Sequence, residues 1–370
     1  MPHTYNFVSH NKLLFAQINY AQNERTIKMK FKNLFLALIS ILLSLVFLAL
    51  PVLAKEKTSS EFRDTELYVG GMPFGAKISS EGLTVVKFSE TKGKNASCAY
   101  LAGMREGDII IKINDRSIRK IEDFVKEIDK SGGNELKITV IRGDKALDFS
   151  VTPVYSKDDG KYKTGIWVKD STSGIGTVTY INPSDNTFGG LGHGICDSNG
   201  KVVPFMTGVV LDVEINGVVK GQVGSAGELK GCFAKNKIGQ LTKNTPCGVF
   251  GKLNNGVCNS PERLMKICPR DEVVEGEAYI WCTLSNNKPE KYEIQISDID
   301  KNNTTVKSFK VKVTDQELLE KTGGIVQGMS GSPIIQNGKL VGAVTHVLIN
   351  DPTTGYGIFI ENMLSASCQT

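Results

Sequence analysis

A short glycine-rich turn holds the residues best suited to chemistry in this sequence. The turn reads GMSGSP, from Gly328 to Pro333, and apolar strand residues follow it up to an Asn-Gly pair. A serine hydroxyl is a weak nucleophile at neutral pH, so a reactive serine here needs a neighbouring base. The N–H groups of the serine and of the glycine two residues before it can point to one spot and stabilise an oxyanion. The turn therefore indicates either an ordinary loop before a hairpin or a nucleophile with its own oxyanion hole.

Of the two serines in this turn, Ser330 is the preferred nucleophile. Ser332 directly precedes Pro333, and a residue before proline is held in an extended conformation, as at the start of a strand. Ser330 does not carry that restriction. The predicted oxyanion-hole donors are accordingly the N–H groups of Gly328 and Ser330.

A long apolar segment divides the chain and decides which histidines can serve as the base. Residues 34–54 contain no charged residue, and about 20 helical residues are enough to span a membrane. Lysines and an arginine precede it, which predicts residues 1–32 in the cytoplasm, a transmembrane anchor or signal segment at residues 33–54, and everything later outside. The small residues at its end also fit a signal-peptide cleavage site, and Met29 is an alternative start. Most of the net charge of +5 lies before this segment, so no nucleic-acid-binding patch is predicted.

Two of the four histidines lie on the exported side of this segment. His193 stands among glycines in FGGLGHGICDSNG, in a turn where its side chain can face a cleft, and it is the predicted general base. A solvated loop histidine is the alternative interpretation. His346 follows Ser330 by sixteen residues on a strand, so it is predicted to line or support the site.

All eight cysteines also lie on the exported side, where disulfides can form. No C-x-x-C pair occurs and only two histidines accompany them, so the sequence predicts no metal site and no cofactor. The disulfide pairing is left open.

A polar linker at residues 55–66 precedes a unit of short apolar strands and one helix, residues 67–154. The helix is IEDFVKEIDKS, and the residues predicted on its apolar face are Ile121, Phe124, Val125 and Ile128. The order of these elements, with the core AGMREGDIIIKIN, resembles the PDZ domains of exported bacterial serine proteases.

This resemblance implies a site for a peptide C-terminus in the glycine-rich stretch GGMPFG. Its backbone N–H groups would hold the carboxylate while the peptide adds as a strand. The residues so implied are Gly70, Gly71, Phe74 and Gly75. Because Pro73 removes one N–H donor, a groove without a ligand is the alternative.

The last part of the chain, residues 164–370, follows a charged linker at residues 155–163 and is rich in β-branched residues, glycines and Asn-Gly pairs. Successive strands with little helix between them are typical of antiparallel barrels or sandwiches. The length suffices for two barrels, so the predicted fold class is mainly β.

Nearly the whole chain resembles the SpoIVB peptidase family, which comprises membrane-anchored, PDZ-containing serine peptidases of endospore-forming bacteria. The resemblance rests on the anchor, the PDZ unit, the Gly-His loop and the motifs GIVQGMSGSPI and GAVTHVLINDPTTGYGI. It implies a chymotrypsin-like double β-barrel in the serine peptidase domain. It also implies that Ser330 is the nucleophile, His193 the general base and Asp315 the acid that orients the histidine.

Three aspartates compete for this orienting role. In two-barrel proteases the acid normally comes from the first barrel, which favours Asp197 or Asp212 by position. Asp315 lies only fifteen residues before Ser330, and ahead of QELLE it can equally be the N-cap of a helix.

The resemblance extends to substrate contacts. The strand AVTHV would pair with the substrate backbone, and GYG would form a pocket wall. The residues implied are Thr345, His346, Val347, Gly355 and Tyr356.

The function predicted from these features is that of a membrane-anchored serine endopeptidase. By resemblance it acts in the space between mother cell and forespore, where it cleaves a membrane-associated regulatory protein, and also itself, in a pathway that activates a late sporulation sigma factor. The PDZ unit would recognise a peptide tail, its own or that of a partner. A PDZ scaffold with an inactive barrel and a zinc-dependent hydrolase are the alternatives.

Overall fold

The structure of the protein is a computed structural model, and it describes residues 62–90, 97–143, 145–197, 200–254, 261–285 and 288–369. The predicted cytoplasmic and membrane segments, residues 1–32 and 33–54, lie outside these ranges, as does most of the linker predicted at residues 55–66. The described residues belong to one compact unit. Across the described ranges, no helix has both the length and the apolar character needed to cross a membrane.

The described residues contain twenty strands, four short α-helices and one 3-10 helix, Pro261–Arg263. The strands are β1 (Glu66–Val69), β2 (Pro73–Phe88), β3 (Ile109–Ile113), β4 (Arg116–Ser117), β5 (Leu136–Arg142), β6 (Lys145–Val151), β7 (Val154–Ser156), β8 (Lys161–Lys163), β9 (Ile166–Ile181), β10 (Thr187–Gly190), β11 (Thr207–Val219), β12 (Glu228–Thr245), β13 (Gly248–Leu253), β14 (Leu264–Lys266), β15 (Gly276–Cys282), β16 (Glu290–Ser297), β17 (Phe309–Val313), β18 (Pro333–Gln336), β19 (Lys339–Leu348) and β20 (Asp351–Phe359). The helices are α1 (Cys98–Leu101), α2 (Ile121–Lys130), α3 (Gln316–Thr322) and α4 (Ile360–Cys368).

Two six-stranded antiparallel barrels form the larger part of the protein. In the first barrel the strands follow the order β9-β10-β13-β12-β11-β2, and β2 closes the ring by pairing with β9. The second barrel closes in the order β15-β16-β17-β20-β19-β18. A third apolar cluster, which includes Val69, Tyr180, Ala343 and Met363, joins residues of both barrels and of α4. The mainly β architecture and the pair of barrels predicted from the sequence are therefore present.

The hairpin after the serine turn follows the rule that governs tight β-turns. Asn337 and Gly338 connect β18 to β19, and both residues have positive φ, 51° and 73°. This Asn-Gly conformation matches the twist of the flanking strands. The turn fixes the register of β19, which passes beside the serine turn.

A separate core with the PDZ arrangement extends from Leu83 to Val151. Phe124 and Ile128 of α2 are buried in it, as the apolar face of the helix predicts, whereas Val125 is 45% exposed. Asp108 is buried and accepts hydrogen bonds from Arg142 at 2.7 and 2.8 Å, which links β3 to β5.

The structure corrects the predicted start of this domain and the position of its peptide loop. The first half of β2 belongs to the first barrel, because its residues 73–79 pair with β9 and with β11, and β1 also pairs with β9. The N–H groups of Gly70 and Gly71 donate to the carbonyls of Thr179 and Val178, at 2.9 and 2.8 Å. They are therefore not available to hold a carboxylate.

The other two residues of the predicted peptide loop, Phe74 and Gly75, also belong to the first barrel. Phe74 is fully buried in the core of the first barrel. Gly75 lies in β2 opposite Ile175 of β9 and Leu211 of β11. The loop GGMPFG is thus a connection within the first barrel rather than a PDZ ligand site.

Two long strands are shared between the PDZ core and the first barrel. β2 and β9 are each sixteen residues long. Residues 84–88 of β2 pair with residues 166–169 of β9 at the PDZ core, and residues 73–79 pair with 171–177 in the barrel. The charged stretch 155–163, predicted as a linker, instead includes β7 and β8, which form a small hairpin before β9. The two domains are consequently joined by continuous strands.

Candidate active site

The serine turn lies between α3 and β18 and is anchored in the second barrel by its middle residue. Met329 is fully buried, and its N–H donates to the carbonyl of Val326 at 3.1 Å. Gly328 and Gly331 have φ values of 97° and 93°, in the left-handed region that favours glycine. These two glycines allow the sharp turn that leaves Ser330 half-buried at its outer side.

Burial distinguishes the two serines of the turn. Ser332 is fully buried, and its Oγ has no hydrogen-bond partner within the described residues. The Ser330 hydroxyl is accessible and donates to the carbonyl oxygen of Thr345 at 2.8 Å. Because a substrate carbonyl can reach only the second of these hydroxyls, the geometry favours Ser330 as nucleophile.

The backbone of the serine turn leaves two N–H groups for a ligand. In residues 327–332, the N–H groups of Gln327, Met329, Gly331 and Ser332 all donate to carbonyls, at 2.7–3.1 Å. Those of Gly328 and Ser330 have no acceptor among the described groups. These are the two donors that the sequence assigns to an oxyanion hole.

Four carbonyls of the turn are held in place, which fixes the direction of the peptide units. The carbonyls of Gly328 and Gly331 accept from the hydroxyls of Thr177 and Thr179, at 2.8 and 2.7 Å. The Ser330 carbonyl accepts from the N–H of Thr177 at 2.9 Å, and the Met329 carbonyl accepts from Ser332. In a trans peptide the N–H points opposite to the C=O, so fixing the Met329 carbonyl also directs the Ser330 N–H away from the turn.

His193 reaches the site from the first barrel, in the loop after β10. Leu191 and Gly192 have φ values of 64° and 66°, which turn the chain back towards the serine turn. The two turns are in contact, and Gly331 leaves no room for a side chain between them. A Cβ built on Gly331 would lie only 2.4 Å from the backbone nitrogen of Leu191. His193 Nδ1 lies 2.9 Å from the Gly194 carbonyl oxygen. A carbonyl can only accept, so Nδ1 carries the proton and Nε2 keeps the lone pair that a general base needs.

His346 stands directly beside His193. The centroids of the two imidazole rings are 4.9 Å apart, with an angle of 39° between the ring planes. His346 follows Thr345, whose carbonyl accepts from the Ser330 hydroxyl. The structure therefore brings Ser330, His193, Thr345 and His346 into one cleft between the two barrels. Among the described residues, the Ser330 hydroxyl bonds to Thr345 rather than to a histidine, so this bond must break before a histidine can take the hydroxyl proton.

Both imidazoles are in an environment that favours the neutral form. Burial lowers the pKa of His193, and the hydrogen bond to the Gly194 carbonyl opposes this effect only in part. Burial also lowers the pKa of His346, with added repulsion from His193 and Lys307. At neutral pH the site consequently holds an uncharged base next to the serine.

The lowered pKa of His193 predicts the acid limit of activity. A base whose protonated form is disfavoured stays neutral as pH falls through its ordinary value of about 6.5. Activity is then lost only when pH falls through the lower pKa of the folded protein. We expect kcat/KM, measured against pH on a peptide substrate, to decrease with a midpoint below 6.5. A midpoint above 7 would contradict the proposed environment of His193.

The structure places Asp315 at the start of α3. Asp315 is the N-cap of this helix, where its side chain accepts from the N–H of Leu318 at 2.9 Å and from that of Glu293 at 3.2 Å. In the described part of the chain, no hydrogen bond or ion pair joins it to the imidazole. Asp315 thus has the other role that its sequence context allowed, that of a helix cap, and its orienting role stays a prediction.

The two rival aspartates are engaged elsewhere as well. Asp197 accepts from the Lys201 N–H at 3.0 Å, and Asp212 accepts from the Val213 N–H at 3.0 Å. The group that bonds to the His193 ring is the Gly194 carbonyl. A backbone oxygen therefore sets the tautomer of the base, and no sequence pattern marks such an oxygen.

Substitution of Asp315 separates the capping role from an orienting role. Asparagine is a good N-cap, so Asp315→Asn should retain stability, whereas Asp315→Ala should lose about 1 kcal/mol of unfolding free energy. We expect kcat to change less than about tenfold in both variants, because loss of a cap at α3 leaves the His193 hydrogen bond intact. Denaturant unfolding and steady-state kinetics measure the two quantities. A decrease near 10⁴-fold in kcat for the stable Asp315→Asn protein would support the orienting role.

The predicted substrate-contact residues occupy two adjacent strands. Thr345 is buried, and its hydroxyl donates to the carbonyls of Val306 and Tyr356. Val347 pairs with Gly355. A Cβ built on Gly355 would lie 2.4 Å from the His346 carbonyl oxygen, so the two strands are in close contact at this glycine. Thr345 and His346 border the serine, whereas Gly355 and Tyr356 lie on β20 behind them. Their contact with substrate stays a prediction.

Thr177 and Thr179 are site residues that the sequence reasoning missed. They lie two positions apart on β9, so their side chains share one face of the strand. Both are buried, 2% and 0% exposed. The alternation in GTVTY, which places two hydroxyls on an inward face, is the signal that could have identified them, because a buried hydroxyl needs a partner.

Comparison with known proteins gives two family matches. Residues 160–364 match the model of the SpoIVB peptidase S55 family, and residues 91–142 match the model of the PDZ domain. The regulator of sigma-W protease RasP from Bacillus subtilis (strain 168) is 38% identical over 64 residues, 17% of this chain and 15% of RasP. The putative zinc metalloprotease LL2128 from Lactococcus lactis subsp. lactis (strain IL1403) is 38% identical over 81 residues, 22% of this chain and 18% of that protein. The chain thus spans less than a fifth of the length of these two curated relatives.

Two solved structures are similar at a greater distance. The PDZ domain of the SdrC-like protein Lmo2051 from Listeria monocytogenes has 21% identity and a TM-score of 0.22, and the match covers 25% of this chain and 93% of that one. An inactive mutant form of Rv3671c from M. tuberculosis H37Rv has 12% identity and a TM-score of 0.29, and it covers 53% of this chain and 84% of that one.

Proposed function

Because this chain belongs to the SpoIVB peptidase family of serine peptidases, we propose that it is a serine endopeptidase with Ser330 as nucleophile and His193 as general base. The observation that carries this proposal is the pair of N–H groups on Gly328 and Ser330, which have no acceptor among the described residues and flank an accessible hydroxyl. An oxyanion hole is the use that such a pair has in acyl transfer.

The geometry supports a two-step reaction. The Ser330 hydroxyl turns from the Thr345 carbonyl towards His193 Nε2, gives up its proton and attacks the substrate carbonyl carbon. The carbonyl oxygen becomes an oxyanion that the Gly328 and Ser330 N–H groups stabilise. His193 then protonates the leaving amine, and a water molecule activated by the same ring releases the acyl group. The Gly194 carbonyl holds the Nδ1 proton throughout.

Labelling with a fluorophosphonate tests the nucleophile and the base without knowledge of the substrate. We expect wild-type protein and Ser332→Ala to be labelled, Ser330→Ala not to be labelled, and His193→Ala to react at least about 100-fold more slowly, since a positioned base contributes about 10²–10⁴-fold. Mass spectrometry should place the adduct on Ser330. Folded wild-type protein that resists labelling would favour the alternative of a PDZ scaffold with an inactive barrel.

We further propose a membrane-bound setting for this peptidase. The apolar residues 33–54 support an anchor that places the two domains outside the cytoplasm. By family resemblance the substrate is a membrane-associated regulatory protein of sporulation, in the space between mother cell and forespore, with the enzyme's own N-terminal region as a second substrate. N-terminal sequencing of the protein from cells tests self-cleavage: the wild type should be shortened, and Ser330→Ala should keep the full N-terminus.

Two observations near residue 62 support a self-cleavage position before it. Phe62 is buried in the cluster that joins the barrels, and Arg63 forms ion pairs with Asp271 and Glu272 at 2.6 and 2.9 Å. A protease needs an accessible, extended segment. Self-cleavage is therefore proposed before Phe62, and a cut after it would contradict this position.

For the PDZ domain we propose a peptide site formed by β9 and α2 in place of the loop GGMPFG. Residues 166–169 of β9 pair with β2 on one side, and no other described strand pairs with them. α2 lies beside them, and Ile166 and Val168 contribute apolar surface. An extended peptide tail can add to such an edge as a further strand.

The two tryptophans of the chain provide a direct test of this peptide site. Trp167 is 63% exposed on the proposed edge, whereas Trp281 lies in β15 of the second barrel. A tail peptide bound at β9 should change the fluorescence emission of Trp167. The Trp167→Phe variant should show no such change in fluorescence. A signal that persists in Trp167→Phe would place the peptide elsewhere.

A further inference from the structure

A pair of buried threonines holds the peptide units that adjoin the two donors of the oxyanion hole. The Thr177 hydroxyl donates to the Gly328 carbonyl, and the Thr177 N–H donates to the Ser330 carbonyl. The Thr179 hydroxyl donates to the Gly331 carbonyl. One strand of the first barrel thus contacts three carbonyls around the nucleophile, which itself belongs to the second barrel.

The serine turn needs such support because its own backbone does not determine one conformation. Gly328 and Gly331 both lie at positive φ, and glycine reaches several backbone conformations at similar energy. If a peptide unit of the turn rotated, its carbonyl rather than its N–H would face the substrate oxygen. The carbonyls that share a peptide unit with the two donors are those of Gln327 and Met329, which accept from the N–H groups of Leu229 and Ser332. The peptide units next to them are held by the threonines.

We infer that Thr177 and Thr179 are positioning residues of the oxyanion hole, and that their hydrogen bonds fix the peptide units adjoining the Gly328 and Ser330 N–H groups, so that these donors keep their place at the substrate carbonyl. This inference rests on the proposed peptidase function of Ser330. Neither threonine touches the substrate. Each acts through a carbonyl of the serine turn, so the first barrel supplies the position of the oxyanion hole as well as the base.

The position of the two threonines on β9 explains why they can act together. Consecutive residues of a strand point to opposite sides, so Thr177 and Thr179 face the turn while Val178 faces the barrel core. The carbonyl of Thr177 accepts from the Leu191 N–H at 3.2 Å. The loop that carries His193 is thus tied to the same residue as the oxyanion hole.

Paired substitutions isolate the hydroxyl groups. Thr→Val keeps the shape of the side chain and removes the hydrogen bond, whereas Thr→Ser keeps the hydroxyl. Because misplacement of a reacting group by about 1 Å can cost about 10²-fold in rate, we expect Thr177→Val and Thr179→Val each to lower kcat by about 10- to 100-fold with KM little changed. Thr177→Ser and Thr179→Ser should stay within about threefold of wild type in kcat. A loss confined to kcat identifies an interaction made in the transition state.

A peptide boronic acid provides a second measurement that a merely structural role would not change. Its tetrahedral adduct with Ser330 places an oxygen in the oxyanion hole, so its inhibition constant should rise in the Val variants by the same factor as kcat/KM falls. Thr283→Val is the matched control. Thr283 is equally buried and donates to the Gly71 carbonyl at 2.9 Å, away from the serine turn. Its variant should lose stability without a change in kcat or in the inhibition constant.

The outcomes separate this inference from the proposed function. If wild-type protein neither hydrolyses peptides nor binds the boronic acid, the proposed function fails. If wild-type protein is active and Thr177→Val and Thr179→Val keep wild-type kcat and inhibition constants while folded, the positioning role alone is wrong. If Thr283→Val loses kcat as strongly as they do, the effect belongs to general stability, and the inference is overturned as well.

Discussion

Ser330→Ala is expected to lower kcat for peptide hydrolysis by about 10⁶-fold, the cost of removing a nucleophile that works as a unit with its base. Binding of the substrate should persist, because the carbonyl and N–H groups that line the cleft are unchanged. The substitution removes the hydroxyl that donates to the Thr345 carbonyl and faces the cleft. Single-turnover and steady-state assays on a peptide substrate measure the loss.

The neighbouring serine provides the control for Ser330→Ala. Ser332 is fully buried with an unpartnered hydroxyl in the described structure, so Ser332→Ala removes a buried polar group that makes no hydrogen bond. We expect kcat within about twofold of wild type and an unfolding free energy that is unchanged or slightly higher. Equal losses in the two variants would show that the turn, rather than the Ser330 hydroxyl, was disturbed.

His193→Ala is expected to cost nearly as much as Ser330→Ala, because the serine is a poor nucleophile without a base to take its proton. We expect a decrease in kcat of about 10⁵- to 10⁶-fold. His346 stands 4.9 Å from His193 between ring centroids but does not replace it, because only His193 is held by the Gly194 carbonyl with Nε2 free. Steady-state assays at pH 7–8, where both imidazoles are neutral, measure the effect.

The double variant tests whether the two residues form one unit. In such a unit the loss of either member removes the same step, so the protein with both Ser330→Ala and His193→Ala should be about as slow as the slower single variant. Circular dichroism at the assay temperature serves as the control for folding. If the two losses multiply in the double variant, the hydroxyl and the imidazole act separately. That result would contradict the proposed transfer of a proton from Ser330 to His193.

The proposed nucleophile, oxyanion-hole donors and base could be predicted from the sequence because they depend on local rules. A proline after Ser332, glycines at fixed positions around Ser330, and one histidine in a glycine loop each restrict the backbone or the chemistry over a few residues. The Asn-Gly hairpin that follows obeys the same kind of rule, and the structure confirms it. The family match over residues 160–364 agrees with the resemblance that these motifs carry.

The PDZ boundary and the role of Asp315 could not be chosen in this way. GGMPFG has the composition of a peptide-binding loop, but its N–H groups pair with β9, far along the chain. Asp315 fits both a triad and a helix cap by its neighbours in sequence, and only the position of α3 relative to His193 distinguishes the two. The domain boundary and the surroundings of Asp315 depend on which strands pair over long sequence separations. Local sequence patterns do not indicate that pairing.

By itself, then, the sequence determined which residues are the candidates for the chemistry, since side-chain type and turn conformation are properties of a few neighbouring residues. The tertiary structure alone decided what holds them: two threonines of β9 on the carbonyls of the serine turn, and a backbone oxygen on the imidazole. The reason is physical. A hydrogen bond between groups 151 residues apart exists only once both barrels have closed and brought their edges together.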